Sequence, residues 1–280
     1  MSYHQFLITL PDSVREIVVD RLMVLGSLGV IEGDGEMTAY FPDSSSPGSI
    51  IQELEISQEL LSQAGHPFVL KIEHTVLADA DWNESWKKSF RPVDVGTRFT
   101  ILPPWEHPSG DRIPLIIDPG MAFGTGHHET TRSCLVLMER YADSVGKSRF
   151  LDVGTGTGLL AIAARTLGFQ MVIGIDTDPL AIDAAHKNIE LNQSEGIELR
   201  KGDIGSASGT YDMIAANLIS STLVQISGDI AARLAPGGIV IMAGILKGQD
   251  DEVAAAAEKA GLRRVERLLD GKWVTLAFRL

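Results

Sequence analysis

The stretch FLDVGTGTGLLAIAA, residues 150–164, has the pattern of a buried strand, a glycine turn and the first residues of an apolar helix. A ligand can approach backbone closely only where no Cβ intrudes, and glycine also adopts the positive φ that sharp turns demand. Gly154, Gly156 and Gly158 therefore predict a nucleotide-binding loop. The dinucleotide fingerprint has its third glycine one residue later, where this chain has Leu159, so pyrophosphate binding is disfavoured.

A second apolar run, residues 172–176, follows this loop and ends in a carboxylate, Asp176. A carboxylate at the carboxyl end of a buried strand can accept hydrogen bonds from both hydroxyls of a ribose. Further along, Asp203 follows a third strand, where its carboxylate could meet an adenine amino group. Asn217 ends a fourth strand, residues 211–216. Because ligands collect at the carboxyl edge of an open α/β sheet, these side chains are expected to share one site.

Residues 113–141 form the second informative stretch. A strand over 114–117 precedes a glycine-broken loop, and a helix starts near Glu129. The loop can fold over a cofactor, with Phe123 against an aromatic or sulfonium face. Thr131 either reaches the ligand or only caps the helix, and the residues alone leave both interpretations open. His127 and His128 are possible bases, but adjacent histidines in a loop do not define a site.

The first 78 residues read strand, helix, strand, strand, helix, strand. This is the order of a ferredoxin-like domain, a four-stranded antiparallel sheet with two helices on one face. The helices are expected over residues 14–28, where Gly29 would end the first, and over 50–63, after a loop at 42–49. The histidines of this region are scattered, so the pattern indicates a recognition or docking module rather than a catalytic one.

Residues 79–92 are expected to form a linker helix that joins this domain to a catalytic domain at 93–280. Trp82 and Trp86 lie one helical turn apart, so one face of the linker needs a cover. They fit a hinge packed between domains better than part of a peptide site. The catalytic domain alternates strands with helices and ends in a hairpin, which predicts an α/β fold with a seven-stranded Rossmann-like sheet.

The composition restricts the class of partner. The net charge is −13, with 24 basic and 37 acidic side chains, which argues against a protein that binds nucleic acid mainly through phosphates. Residues 1–90 hold 5 basic and 14 acidic side chains and so carry −9 of this charge, which suits a basic protein partner. With one cysteine, Cys134, the chain can build neither a disulfide framework nor a thiolate zinc cluster. We expect no signal peptide, no membrane span and a cytoplasmic location.

Five segments carry a resemblance to a known family: DPGMAFGTGHHETT (118–131), LDVGTGTGLLAIAA (151–164), IGIDTDPLAI (173–182), AANLI (215–219) and LAPGGIVIMAGIL (234–246). They resemble the bacterial ribosomal protein L11 methyltransferases, which are class I S-adenosylmethionine-dependent enzymes. The resemblance covers residues 80–280 at motif level, and the front domain matches in the order of its elements.

The resemblance implies methyl transfer from S-adenosylmethionine to lysine ε-amines and the N-terminal α-amine of that ribosomal protein, to the trimethyl state. It implies that the front domain holds the substrate and that no metal is needed. Cofactor contacts are implied at Thr131, Gly154, Asp176 and Asn217, and Asn217 is also expected to orient the incoming amine. Neither His127 nor His128 is assigned a catalytic role.

Two other readings stay open at this point. One is a methyltransferase of RNA, another protein or a small molecule on the same sheet, although an RNA enzyme would be expected to show a basic face. The other is a non-enzymatic nucleotide-binding module with the front domain as a sensor, in which Asn217 would be incidental.

Overall fold

The computed structural model describes residues 2–33, 35–63, 67–78, 90–118, 126 and 128–280. The chain divides into two compact units, Met1–Ser89 and Phe90–Leu280. Most of the expected linker, with Trp82 and Trp86, lies outside the described residues, so the linker helix and its hinge role stay predictions. Within the described ranges, no helix is both long and apolar enough to cross a membrane.

The first unit has the predicted order of elements and forms one antiparallel sheet with strand order β2-β3-β1-β4. Phe6 and Ile8 alternate along β1 and lie in one apolar core with Val18 and Leu22 of α1 and Leu54 of α2. The ferredoxin-like arrangement is therefore confirmed. Its elements are β1 (Ser2–Thr9), α1 (Asp12–Val24), β2 (Gly29–Glu32), β3 (Glu36–Pro42), α2 (Pro47–Gln63) and β4 (Lys71–Ala78).

Both helices of this unit depart from their expected bounds. The first ends at Val24 rather than at residue 28, because Gly26 adopts a φ of 90° and Ser27 N closes the helix end by donating to Leu22 O at 3.0 Å. The second begins at Pro47, inside the expected loop. Proline suits the first turn of a helix, where its missing N–H costs no hydrogen bond.

The second unit opens with a three-stranded sheet of order β5-β6-β7. The first two strands form an antiparallel pair, and the third strand lies parallel to the second. The strands are β5 (Val93–Val95), β6 (Phe99–Leu102) and β7 (Ile113–Ile116).

A seven-stranded sheet of order β10-β9-β8-β11-β12-β14-β13 forms the centre of the second unit, so the Rossmann-like prediction is confirmed. Its strands are parallel except β14, which lies antiparallel between β12 and β13. The strand order reverses between β8 and β11, and such a point opens a crevice at the carboxyl ends of the strands. The elements are α3 (Glu129–Tyr141), β8 (Arg149–Val153), α4 (Leu159–Thr166), β9 (Met171–Asp176), α5 (Pro179–Leu191), β10 (Ile197–Lys201), β11 (Tyr211–Asn217), α6 (Ser220–Arg233), β12 (Leu234–Leu246), α7 (Asp250–Lys259), β13 (Arg263–Asp270) and β14 (Trp273–Arg279).

Apolar cores fill both faces of this sheet. One contains Leu135 and Met138 of α3 with Ile162 of α4, and the other contains Leu223 of α6 with Val253 of α7. Residues 235–238, APGG, have the composition of a turn, but β12 already begins at Leu234 and runs through them. The turn is a bulge within the strand: Gly237 has a φ of 77°, and the register moves from Tyr211↔Leu234 to Met213↔Ile239.

Candidate cofactor and active site

The glycine loop lies at the end of β8, beside the point where the strand order reverses. Gly154, Gly156 and Gly158 have φ values of 74°, 53° and 79°, a region that L side chains rarely adopt. A Cβ on Gly154 would lie 2.5 Å from Leu218 Cδ2, and one on Gly158 would lie 3.1 Å from Ala185 Cβ. The predicted need for glycine therefore holds on two grounds, backbone conformation and close approach.

Asp176 is held against this loop. Its Oδ2 accepts a hydrogen bond from Gly156 N at 2.9 Å, and its Oδ1 accepts one from Asp178 N at 3.0 Å. A carboxylate oxygen has a second lone pair, so both oxygens can still accept from a ligand. The residue lies at the carboxyl end of β9, as the sequence predicts. It is half-buried, so its charge is not enclosed in the core.

Asn217 and Thr131 meet although they are far apart in sequence. Asn217 Nδ2 donates to Thr131 Oγ1 at 3.2 Å. Thr131 lies in the first turn of α3 but does not cap it: His128 is the N-cap, and its side chain accepts from Thr130 N. The interpretation that Thr131 is a cap alone is therefore wrong.

These segments enclose an open cleft of about 260 Å³, its mouth included. A threonine hydroxyl, an amide, glycine backbone and two leucines line it together, so it offers both polar and apolar contacts to one ligand. Because Thr131, Gly154 and Asn217 all line it, the structure brings three of the predicted residues into one site. The lining residues are Thr131, Gly154, Thr155, Thr157, Leu159, Leu160 and Asn217.

Among the described residues, three predicted ligand residues, Gly156, Asp176 and Asp203, do not line this cleft. Asp203 is exposed, and its Oδ1 accepts from Gly205 N at 2.9 Å, which starts a short 3-10 turn. Its expected adenine contact stays a prediction. Phe123 lies outside the described residues, as does His127. The contacts of His128 are structural: its Nδ1 lies 2.7 Å from Thr130 Oγ1, and its ring packs edge-to-face with that of Trp273.

Asp152 is a feature of the site whose charge state the sequence did not predict. It is fully buried beneath the loop, and its Oδ2 accepts from Thr155 Oγ1 at 2.8 Å. Within the part of the chain that the structure describes, its Oδ1 has no hydrogen-bond partner. Burial, the largest cause, and the nearby charge of Asp176 raise the pKa of this carboxyl, and hydrogen bonds from Thr155 and the Ala161 backbone lower it; together they bring the pKa to about 7.

The chain matches known proteins over most of its length. The model of the family described as ribosomal protein L11 methyltransferase (PrmA) matches residues 7–280. A ribosomal protein L11 methyltransferase from Ruminiclostridium cellulolyticum is 40% identical over 277 residues, which cover 96% of this chain and 87% of the relative. Another, from Chloroflexus aurantiacus, is 39% identical over 236 residues, which cover 74% and 71%.

A solved structure agrees with these relatives. The crystal structure of a ribosomal protein L11 methylase from Lactobacillus delbrueckii subsp. bulgaricus has a TM-score of 0.63 and 30% identity, and the match covers 68% of this chain and 98% of that one. The glycine loop, the acidic end of β9 and the pair formed by Asn217 and Thr131 thus occur in a chain whose family is clear. The resemblance drawn from the motifs is confirmed: this chain belongs to the ribosomal protein L11 methyltransferase family.

Proposed function

We propose that this chain transfers methyl groups from S-adenosylmethionine to ribosomal protein L11. Family membership over residues 7–280 carries the proposal. The meeting of Asn217 with Thr131 beside the glycine loop supports it, because this is where a cofactor at the switch point of the sheet would present its reactive end.

The residues present fit S-adenosylmethionine. Asp176 offers charged acceptors to the ribose hydroxyls, and Gly154 of the glycine loop lines the cleft. Leu159 and Leu160 supply apolar contact, and Thr131 and Asn217 supply polar contact to the methionine portion. Phe123 as a cover and Asp203 as the adenine partner remain part of the proposal on the strength of the sequence alone.

The cofactor supplies an electrophilic methyl group on a positively charged sulfur. When S-adenosylmethionine is bound, a neutral amine nitrogen would attack the methyl carbon in line, and the carbon–sulfur bond would break with its electron pair going to sulfur. The nitrogen would lose a proton after the first and second transfers and none after the third, which leaves a quaternary ammonium. Most of the rate acceleration would come from holding nitrogen and carbon in contact and in line. A lysine must arrive neutral, although its reference pKa is ~10.4. Desolvation beside a positive sulfur lowers that pKa.

Asn217 is suited to orient this amine. Its Nδ2 is engaged with Thr131 Oγ1, and among the described residues no donor to its Oδ1 is found. The Oδ1 atom is an acceptor, so it can receive an N–H of the incoming amine and point the nitrogen lone pair toward the methyl group. We infer that Asn217 is a catalytic residue because it orients the amine, and that it does not itself remove a proton.

The substrate is proposed to dock on the first unit, whose acidic character suits a basic ribosomal protein. Residues 1–90 carry −9 of the net charge. Electrostatic complementarity of this kind raises association rates and disfavours acidic partners, nucleic acid among them. Lysine ε-amines and the N-terminal α-amine are the proposed acceptors, the trimethyl state is the proposed product, and the cytoplasm is the proposed location.

The proposal is tested by incubating the purified chain with methyl-labelled S-adenosylmethionine and purified ribosomal protein L11. Total ribosomal RNA and a mixture of other ribosomal proteins serve as parallel substrates, and Asn217→Ala serves as the enzyme control. We expect label in L11 alone, on amines identified by mass spectrometry. Label in RNA, or in other proteins with none in L11, would overturn the substrate assignment, and cofactor binding without transfer to any substrate would favour the sensor reading.

A further inference from the structure

Three side chains contact the end of β7 and the residues just after it. They are Lys187 and Asn188 of helix α5 and Asn192, the C-cap residue of that helix. Asn192 Oδ1 accepts from Ile116 N at 2.8 Å, and its Nδ2 donates to Ile116 O at 2.6 Å. Lys187 forms an ion pair with Asp118. Asn188 Oδ1 accepts from Asp118 N at 2.9 Å. The last residues of β7 are thus fixed to a helix that lies more than sixty positions later in sequence.

Asn188 alone among these three side chains also reaches the glycine loop. Its Nδ2 donates to Thr157 O at 2.8 Å, and the side chain is fully buried. Thr157 lines the cleft, between two glycines of positive φ. One turn earlier on α5, Ala185 lies in contact distance of the Cβ position of Gly158, so the helix and the loop are closely packed at this place.

This pair of bonds requires a side chain that donates at one atom and accepts at another, as an uncharged amide does. The Thr157 carbonyl requires a donor and the Asp118 amide requires an acceptor, and an amide side chain offers one of each on a rigid plane. An ionised carboxylate would place an oxygen, and no donor, against the Thr157 carbonyl, and an alanine would remove both hydrogen bonds.

We propose that Asn188 is a positioning residue of the cofactor site, which holds the Thr157 carbonyl and the Asp118 amide at one separation and so couples the shape of the glycine loop to the end of β7. A loop that must present its backbone to a ligand gains affinity when it is already in the bound shape. The bond from Asn188 to the Thr157 carbonyl supplies such a restraint.

The test compares Asn188→Ala and Asn188→Asp with Asn192→Ala, which loses two hydrogen bonds to Ile116 and one to the Asn188 carbonyl but none to the loop. S-adenosylmethionine affinity is measured by calorimetry and stability by thermal unfolding. We expect the dissociation constant to rise about tenfold in both Asn188 variants, as for loss of a buried hydrogen bond, and to change less than about twofold in Asn192→Ala. Michaelis constants should split in the same way: that for the cofactor rises, and that for L11 does not.

A second measurement uses the unmodified chain and so does not depend on the variants folding. Amide exchange is followed by NMR with and without the cofactor product S-adenosylhomocysteine. We expect added protection at Asp118 N–H, which bonds Asn188, and none at Ile116 N–H, which bonds Asn192. Unchanged protection at Asp118, or Asn188 variants that bind the cofactor as the unmodified chain does, would overturn the inference.

The inference rests on the glycine loop being the S-adenosylmethionine site, and the two claims fail differently. If the site assignment is wrong, Asn217→Ala and Asp176→Ala will bind the cofactor with full affinity. If only the present inference is wrong, those two variants will lose affinity and the Asn188 variants will keep it. An equal loss of affinity in Asn192→Ala would also count against a specific role for Asn188.

Discussion

Replacing Gly154 by alanine perturbs the cofactor loop in a way that the structure allows to be divided into two parts. The first part is backbone strain, since a φ of 74° is the left-handed region, which costs an L residue roughly 1–2 kcal/mol. The second is a collision, because the new methyl would lie 2.5 Å from Leu218 Cδ2. Carbon atoms pack at about 3.5–4.0 Å, so Leu218 has to move by roughly 1 Å or more.

The collision should matter for function because Leu218 directly follows Asn217. Moving a side chain off its rotamer costs about 0.5–1.5 kcal/mol, and relaxation of Leu218 would shift the bond between Asn217 and Thr131. Because about 1.4 kcal/mol corresponds to a tenfold change in an equilibrium constant, we expect a loss of S-adenosylmethionine affinity of roughly tenfold. The free energy of unfolding should fall by about 1.5–3.5 kcal/mol, the sum of the two parts.

Gly237→Ala is the matched control. Gly237 has a φ of 77°, nearly that of Gly154, but no atom lies within 4 Å of the position that its Cβ would take. It should lose the strain part of the stability, roughly 1–2 kcal/mol, and bind the cofactor normally. Both variants are measured by denaturant unfolding and calorimetric titration. If Gly154→Ala binds as tightly as the unmodified chain, or if Gly237→Ala weakens binding equally, the reasoning from close approach is refuted.

Four further outcomes are expected. Asp176→Ala should weaken cofactor binding roughly tenfold to a hundredfold, since a hydrogen bond to a charged group contributes about 1.5–3 kcal/mol; an unchanged calorimetric affinity would contradict the ribose role. Asn217→Ala should lower turnover at saturating cofactor by about tenfold or more through lost orientation, and full turnover would remove its catalytic assignment. Removing residues 1–78 should leave a chain that binds the cofactor but methylates L11 very slowly, and undiminished label incorporation would place recognition in the second unit. Asp152, with its pKa raised to about 7, binds a proton more tightly folded than unfolded, so stability should fall as pH rises from about 4 to about 7 and then level off; Asp152→Asn should flatten this profile in unfolding experiments, and an unaltered profile would mean that another group causes it.

The site residues that sequence could predict are those placed by strand ends. Asp176 and Asn217 each close an apolar run, and parallel strands bring their carboxyl ends to one edge, so proximity follows from the pattern alone. The three glycines of the loop were also predictable, because glycines at this spacing directly after a strand indicate a sharp turn with positive φ. Thr131 needed the family resemblance, since a threonine at a helix start has a capping role available to it.

The remainder depends on contacts that no local pattern encodes. Asn188 lies inside an amphipathic helix, and its partners Asp118 and Thr157 are brought to it only by the fold. The N-cap of α3 was missed because histidine is an uncommon cap, and its contact with Trp273 is long-range. The helix bounds were misplaced where glycine or proline had two admissible positions: Gly26 ended α1 before Gly29 could.

The position of β14 has a consequence for how the chain acquires its structure during synthesis. Residues 273–279 pair with β12 on one side and β13 on the other, and Leu276 and Phe278 are fully buried. A nascent chain that has emerged as far as β13 therefore still exposes two strand edges and an unfilled apolar slot, which are the features that invite wrong pairing. Native closure of this sheet therefore requires β14 to have emerged from the ribosome.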